Sequence, residues 1–364
     1  MISVKQLSML TVVLIFATAI LYLPSISLKH SGNGGFLSPW VSMIVGMIVI
    51  LMMVTLFRAY HQPTFLTLLK NLLGQPLGII VSFLYIFYFF NTGLYVLRES
   101  IGIIRATLLP TTPILMICFT ISFAYAFGIY NGIQAVARFT QLIIGFVPII
   151  VIILFLGVLG KFHVSAFLPL LDEGFMGVIR GAYIPASWFG EVILLWLLFP
   201  YLRDNKQLIT HLLISILVVA FLVSIITIAI IGLLGVTEAS RTELASYEVM
   251  RYVEFGDFFQ HIDALFLFPW ILFMVIKGLL FFFVTVDLFG EVFAIKNKAW
   301  TILPLVILSS VTSHWLFLDD FSISQYLEIV WPMFALFFEL ILPILFFILF
   351  LLRRSQRRPS IRSS

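Results

Sequence analysis

Ionisable side chains inside long apolar runs are the residues of this sequence best suited to chemistry. Glu191 follows Gly190 in a run that has no other charged residue between Arg180 and Arg203. Lys277 lies in the middle of a second uncharged stretch. A charged side chain at membrane depth costs about 2.5–3.5 kcal/mol on insertion scales, so it usually faces a partner or a polar cavity. These two residues therefore predict a buried ligand site.

Residues 185–191 combine a proline, a tryptophan and a glycine with the Glu191 carboxylate. Proline removes a backbone donor and glycine loosens the chain, so both weaken a helix in mid-span. Interrupted helices at the midplane expose backbone groups to ligands in many secondary transporters. We predict that this segment forms one wall of a ligand site. Its candidate contacts are Ser187, Trp188, Phe189, Gly190 and Glu191.

Other ionisable residues in apolar runs are Arg98, Glu99, Arg105, Asp287 and Glu339. For the three on the third apolar run we expect a structural ion pair that fixes helix packing, and Asp287 lies close enough to a span end to reach the interface. Lys277 is either a permanent counter-charge or a proton-linked switch. The scattered histidines show no metal-ligand spacing and no nucleophile–base set is recognisable, so we predict no metal, no cofactor and no enzymatic activity.

Composition indicates a membrane protein with several spans. Of the 364 residues, 62% are hydrophobic and only 10% are charged. A water-soluble domain of this length would need a far more polar surface. The apolar runs are long and continuous, which excludes a transmembrane β-barrel. The net charge of +4 arises from basic residues at span ends, so it does not indicate nucleic-acid binding.

Ten windows are long enough to cross about 30 Å of hydrocarbon. They cover residues 6–28, 36–57, 77–108, 112–129, 139–160, 178–201, 208–235, 262–293, 300–318 and 331–352. We therefore predict a single transmembrane domain over residues 1–352, followed by a basic tail over 353–364 that anchors at an anionic leaflet.

Lysine and arginine are concentrated on one side of the predicted bundle, which places the N- and C-termini in the cytoplasm. The opposite side carries an acidic loop after the seventh span. Its acidic residues are Glu238, Glu243, Glu248, Glu254, Asp257 and Asp263. This loop is long enough for a short amphipathic helix, and it is either a solvated loop or a lid over an outward vestibule.

Several segments resemble the B subunits of spore germination receptors (GerAB type), in the amino acid/polyamine/organocation transporter superfamily. The resemblance lies in residues 260–265 followed by Trp270 and Lys277, in 21–24, and in 190–191 with 199–201. Gln6 near the start, and Pro332 and Pro343 before the basic tail, agree with it. No single motif is specific, but their order and spacing extend over the whole chain.

The resemblance implies an all-α, LeuT-like fold with ten transmembrane helices in a five-plus-five inverted repeat, over about 6–160 and about 177–352. It also implies that helices 1 and 6 are discontinuous. In the superfamily, a small-residue break in helix 1 binds a substrate carboxylate, and the matching residues are Ala17, Thr18 and Ala19. The usual glycines are absent here, and alanine adopts positive φ at greater cost. We expect Tyr22 to close the pocket, and Asn91 and Tyr95 to line it.

By resemblance, we expect a nutrient-sensing subunit in the inner membrane of a bacterial endospore. A small germinant such as an amino acid would bind between spans 1, 3, 6 and 8. The resemblance also implies two partners, an A-type and a C-type receptor subunit. An active amino-acid or cation symporter is an alternative, and uptake into proteoliposomes would favour it. A conduit for ions or water is a second alternative, which conductance measurements would reveal.

Overall fold

A computed structural model describes residues 1–242, 244–252, 263–316 and 326–356. In chain order, its α-helices are α1 (Val4–Ser31), α2 (Ser38–Ala59), α3 (Phe65–Leu73), α4 (Gln75–Thr107), α5 (Ile114–Asn131), α6 (Ile133–Ile143), α7 (Phe146–Val158), α8 (Gly174–Gly190), α9 (Leu195–Leu198), α10 (Leu208–Ala239), α11 (Ala245–Tyr252), α12 (Asp263–Val292), α13 (Ala299–Leu316), α14 (Trp331–Leu336) and α15 (Leu342–Gln356). Short 3-10 segments cover Gly32–Leu37, Leu159–Lys161, Val164–Phe167, Glu191–Leu194 and Phe199–Tyr201. Two π-helical segments cover Tyr326–Val330 and Phe337–Ile341.

The prediction of a polytopic helical membrane protein is confirmed. Within the described residues, eight helical stretches are long and apolar enough to cross a membrane, and the first of them, Val4–Ala59, comprises α1 and α2. A shorter apolar helix covers Ala299–Ser313. Large apolar side chains such as Phe123 and Leu142 are 71% and 77% exposed, which suits a lipid-facing surface. The predicted number of ten crossings stays a prediction.

Helix α1 is continuous, so the implied discontinuity of helix 1 at Ala17, Thr18 and Ala19 is wrong. Without glycine at 17–19, the chain gains little by leaving the α-region there. Pro24 lies inside the helix and has no N–H, so the carbonyl of Ile20 lacks the donor that position 24 normally supplies. The Ser246 hydroxyl donates to that carbonyl instead. A side chain from another element thus replaces the donor that the proline lacks, and the helix continues past Pro24 to Ser31.

Helix α8 packs against both α1 and α2. Small residues allow the close approach: a Cβ added at Gly181 would lie 1.9 Å from Ser31 Oγ, and one at Gly46 would lie 2.7 Å from the carbonyl oxygen of Phe189. Four serine hydroxyls donate to carbonyls of α8: Ser27 to Gly181, Ser31 to Gly177, Ser38 to Val178 and Ser42 to Ala182. Small residues and hydroxyl groups commonly hold membrane helices together in this way.

The sixth span changes geometry at Glu191. Pro185 lies inside α8, and its missing N–H falls opposite the Gly181 carbonyl that Ser27 occupies. The α-helix continues to Gly190 and then tightens into the 3-10 segment Glu191–Leu194. Gly190 itself has helical dihedral angles (φ −71°, ψ −22°). The interruption is therefore a change of helix type after the glycine, where we had predicted a break between the proline and the glycine.

Helices α12 and α11 also pack against the elements that carry the site. Helix α12 packs along α4 and also contacts α1 and α5. The short helix α11 lies in the acidic loop, as predicted, and packs on α1 through the Ala245 N–H, which donates to Ser25 Oγ at 3.3 Å. Of the acidic residues of this loop, Glu243, Glu254 and Asp257 lie outside the described residues.

Candidate functional site

A buried ion pair joins three elements in the middle of the bundle. Lys277 Nζ of α12 lies 2.7 Å from Glu191 Oε2 of the 3-10 segment Glu191–Leu194, and the two side chains are 1% and 2% exposed. The same ammonium group donates to Thr18 Oγ1 of α1 at 2.6 Å. Thr18 and Lys277 each lie about 20 Å along the axis from both ends of their helices. The structure thus brings together three predicted site residues at mid-depth.

Trp270 adds a second link between α12 and α1, one residue from Thr18. Its indole Nε1 donates to the carbonyl oxygen of Ala17 at 2.8 Å, and its side chain is buried. Since α1 is regular here, Ala17 offers an acceptor to this tryptophan, whereas the predicted role for residues 17–19 was to offer free N–H groups. Ala19 is fully buried in the same helix.

A second buried carboxylate lies beside the ion pair. Glu339 is fully buried in the π-helical segment Phe337–Ile341, and its Oε1 accepts from the Tyr88 hydroxyl of α4 at 2.5 Å. A Cβ added at Gly190 would lie 2.3 Å from Glu339 Oε2, so the glycine supplies the space that this carboxylate fills. Glu339 therefore contacts the sixth span next to Glu191.

The predicted aromatic wall is buried. Trp188 and Phe189 are 1% and 0% exposed, so neither faces lipid. The Ser187 hydroxyl donates to the Ile184 carbonyl of its own helix at 2.7 Å. Asn91 lies elsewhere: its Oδ1 accepts from the hydroxyl of Tyr326 at 3.0 Å. None of these contacts tests a ligand role, which stays a prediction for all four residues.

A cavity of about 230 Å³ opens above the ion pair, toward the face opposite the N-terminus. Its lining residues are Tyr22, Ser25, Ile26, Lys29, Ser240, Arg241, Thr242, Leu327 and Glu328. Thr18, Tyr22, Ser25 and Lys29 follow a spacing of four, three and four residues, so they share one face of α1. Lys29 pairs with Glu328 at 2.8 Å across the mouth. The predicted pocket residue Tyr22 thus lies about 6 Å above Thr18, between the cavity and the ion pair.

A second cavity, of about 400 Å³, lies on the face that holds the N-terminus. Asp287 lines it, accepts from the Tyr201 hydroxyl at 2.7 Å and pairs with Lys298. About 15 Å of α12 separates Asp287 from Lys277. Both cavities are lined in part by charged side chains, and the ion pair lies between them along α1 and α12.

The charged residues of α4 divide into two groups. Arg98 and Glu99 are buried, at 3% and 1% exposure. Arg105 is exposed near the end of the helix, so the expected buried ion pair does not include it.

Two residues of this region were missing from the predicted site. Glu339 was recognisable as an acid in an apolar run, but no sequence pattern placed it beside Gly190. Tyr88 is one of twelve tyrosines, and nothing in its surroundings distinguished it. Trp270 was noted only as part of the resemblance.

Comparisons with known proteins give a consistent result. The model of a family described as "Spore germination protein" matches residues 1–321. The chain is 21% identical to spore germination protein KB of Bacillus subtilis (strain 168), over 99% of this chain and 97% of that protein. It is 24% identical to spore germination protein YndE of the same organism, over 74% of this chain and 75% of that protein. It is also 24% identical to spore germination protein XB of Bacillus anthracis, over 79% and 83% of the two chains.

Proposed function

The chain belongs to the spore germination protein family, and on that premise we propose that it is the nutrient-sensing membrane subunit of a germination receptor. It binds a small zwitterion, such as an amino acid, at the junction of α1, the Gly190–Glu191 turn and α12. The observation that carries this proposal is the buried contact of Lys277 with both Glu191 and Thr18.

The chemistry of this junction suits an amino acid. Its ammonium group and its carboxylate carry the same two charges as Lys277 and Glu191, which bind each other in the present structure. A zwitterion entering between them gives Lys277 a carboxylate and Glu191 an ammonium group, so neither buried side chain loses its counter-charge. Leaving either charge unpaired in this surrounding would be costly. Buried Trp188 and Trp270 supply apolar walls.

Ligand exchange at this point would change how the helices pack. Lys277 holds Thr18 and Glu191 together, so its release from Glu191 loosens α12 from the sixth span. A ligand shifts a conformational equilibrium only by its differential affinity for the two states. The conformer in which the ion pair is open therefore gains stability from the nutrient. The outward-opening cavity lined by Tyr22 is the entry route.

The packing supports a five-plus-five inverted repeat. In that fold, the predicted spans 1 and 6, 2 and 7, 3 and 8, and 4 and 9 occupy equivalent places in the two halves. The helices that contact each other include α1 with α8, α2 with α10, α4 with α12, and α5 with α13. Each contact joins two such equivalent spans, as expected for halves related by a two-fold axis in the membrane plane.

The remaining elements of the proposal follow from the family. The protein resides in the inner membrane of the endospore with both termini in the cytoplasm, and it assembles with an A-type and a C-type subunit. Its relatives are germination proteins, which favours a receptor over an enzyme.

Binding of the common L-amino acids to the purified full-length chain tests this function, with isothermal titration as the readout. At least one amino acid should bind, and Glu191→Gln and Lys277→Met should each weaken its binding at least tenfold. Asp204→Asn, which removes an exposed carboxylate on the face that holds the N-terminus, is the matched control and should bind nearly normally. Unchanged binding in both buried variants would refute the site. Proton-driven uptake into liposomes would favour the symporter, and ion conductance that Glu191→Gln abolishes would favour the conduit.

A further inference from the structure

We propose that Glu339 is a proton-binding site and that it carries its proton in the conformation described here. The proposal rests on the charges and the space around this side chain. It does not depend on the proposed function, because it concerns the protein without a nutrient.

The charged groups around Glu339 do not balance if its carboxylate is ionised. Among the described residues, the titratable groups that face Glu339 are Tyr85 and Tyr88 of α4, Glu191 of the 3-10 segment, and Lys277 of α12. Helix α2, which also contacts the π-helical segment, has Arg58 at its far end as its one charged residue. Lys277 is paired with Glu191. With two carboxylates and one ammonium group, the cluster has one negative charge too many for an apolar interior, and one proton removes it.

The two carboxylate oxygens of Glu339 have different surroundings. Oε1 of Glu339 accepts a hydrogen bond from the Tyr88 hydroxyl at 2.5 Å. In contrast, Oε2 has no hydrogen-bonding partner among the described residues. An ionised carboxylate would need several donors to be stable without water. A neutral carboxylic acid needs far less, and one tyrosine hydroxyl is sufficient to fix its orientation.

The packing around Glu339 has room for a proton but not for a metal cation. The Oε2 atom occupies the space where a Cβ of Gly190 would lie, at 2.3 Å, and the Tyr88 and Phe338 rings stack with centroids 4.8 Å apart beside it. A monovalent cation needs several oxygen ligands around an open centre. A proton needs no volume, so it fits this packing and a cation does not.

Loss of the proton from Glu339 would affect the neighbouring Lys277–Glu191 ion pair. That loss would place a second charged carboxylate at Gly190, next to Glu191, and would offer Lys277 a competing partner. The strength of the Lys277–Glu191 pair and the proton affinity of Glu339 are therefore linked, and each affects the other by the same factor. The π-helical segment that presents Glu339 is a local widening of the helix, a feature that is frequent at functional sites.

Infrared difference spectroscopy of the full-length protein in lipid nanodiscs, in H₂O and D₂O without any amino acid, tests the proposal. The native protein at neutral pH should show the carbonyl stretch of one buried protonated carboxylic acid. Glu339→Gln should lose this band completely. The control Glu328→Gln should retain it, because that carboxylate lies in an exposed ion pair with Lys29, far from the buried cluster.

Tyr88→Phe provides a second infrared test if Glu339→Gln does not fold. It should keep the band and shift it to higher frequency, because the carbonyl group loses its hydrogen bond. The proposal is overturned if the native protein shows no such band, or if Glu339→Gln retains it. Loss of the band in Glu191→Gln, with the band intact in Glu339→Gln, would assign the proton to the other acid and would also overturn it.

Discussion

Removing one member of the Lys277–Glu191 pair should cost far more stability than removing one member of a surface pair. We consider Glu191→Gln, Lys277→Met and the double variant. Each single change leaves the opposite charge buried at 1–2% exposure. The double change leaves two neutral side chains of similar size, with Thr18 keeping no charged neighbour from the pair.

The expected magnitudes follow from burial. Breaking a buried ion pair from one side costs about 3–5 kcal/mol, because an uncompensated charge remains. Replacing both partners is far less costly, so the double variant should be more stable than either single variant, with a coupling of about 3 kcal/mol. The surface pair Lys29–Glu328, with side chains 48% and 40% exposed, should show a coupling of only about 0.2–1 kcal/mol.

Equilibrium unfolding of the full-length protein in detergent micelles measures these quantities in two double-mutant cycles. Salt gives an independent check: raising the ionic strength should weaken the surface coupling and leave the buried coupling unchanged. If the Lys277→Met and Glu191→Gln effects add to within about 0.5 kcal/mol, the two residues behave as independent sites. That result would refute the ion pair and the ligand mechanism built on it.

Two further predictions concern the packing at Gly190 and the hydrogen bond accepted by the Ile20 carbonyl. Gly190→Ala should destabilise the protein by about 1–3 kcal/mol and abolish nutrient binding, because its new methyl group collides with a buried carboxylate. Gly145→Ala, between α6 and α7 at a glycine with helical dihedral angles and open space around its Cβ position, is the control and should be neutral or slightly stabilising in thermal unfolding. Ser246→Ala should cost about 1–3 kcal/mol, because the Ile20 carbonyl loses its donor. In a Pro24→Ala background, where a backbone N–H is restored, the same change should cost much less, and an equal cost would contradict this explanation.

Under the proposed function, the nutrient would exchange with an internal ion pair. Lys277 and Glu191 already pair with each other, so the ligand would have to replace a contact that the protein makes by itself. Its affinity would then reflect the difference between two sets of contacts, and such a sensor would respond only above a threshold concentration.

Much of the architecture was predictable from the sequence, because a bilayer imposes strict demands on any chain that crosses it. Continuous apolar runs predicted the helices, and the rarity of charge within them identified Glu191, Lys277 and Glu339 as exceptional. The resemblance was less reliable at α1. It implied a discontinuity at Ala17, Thr18 and Ala19, but the helix is intact, and Ser246 of another element satisfies the carbonyl that Pro24 leaves without a donor.

The sequence by itself determined which residues had to find polar partners, since an ion in hydrocarbon is costly wherever the helix that carries it lies. Only the tertiary structure decided which partners they found. Lys277 binds Glu191 and Thr18, and Glu339 lies against Gly190, because helices distant in sequence cross at one depth. Helical periodicity gives the face on which a side chain lies, but the packing of small residues sets the neighbouring helix and the register, and therefore the site.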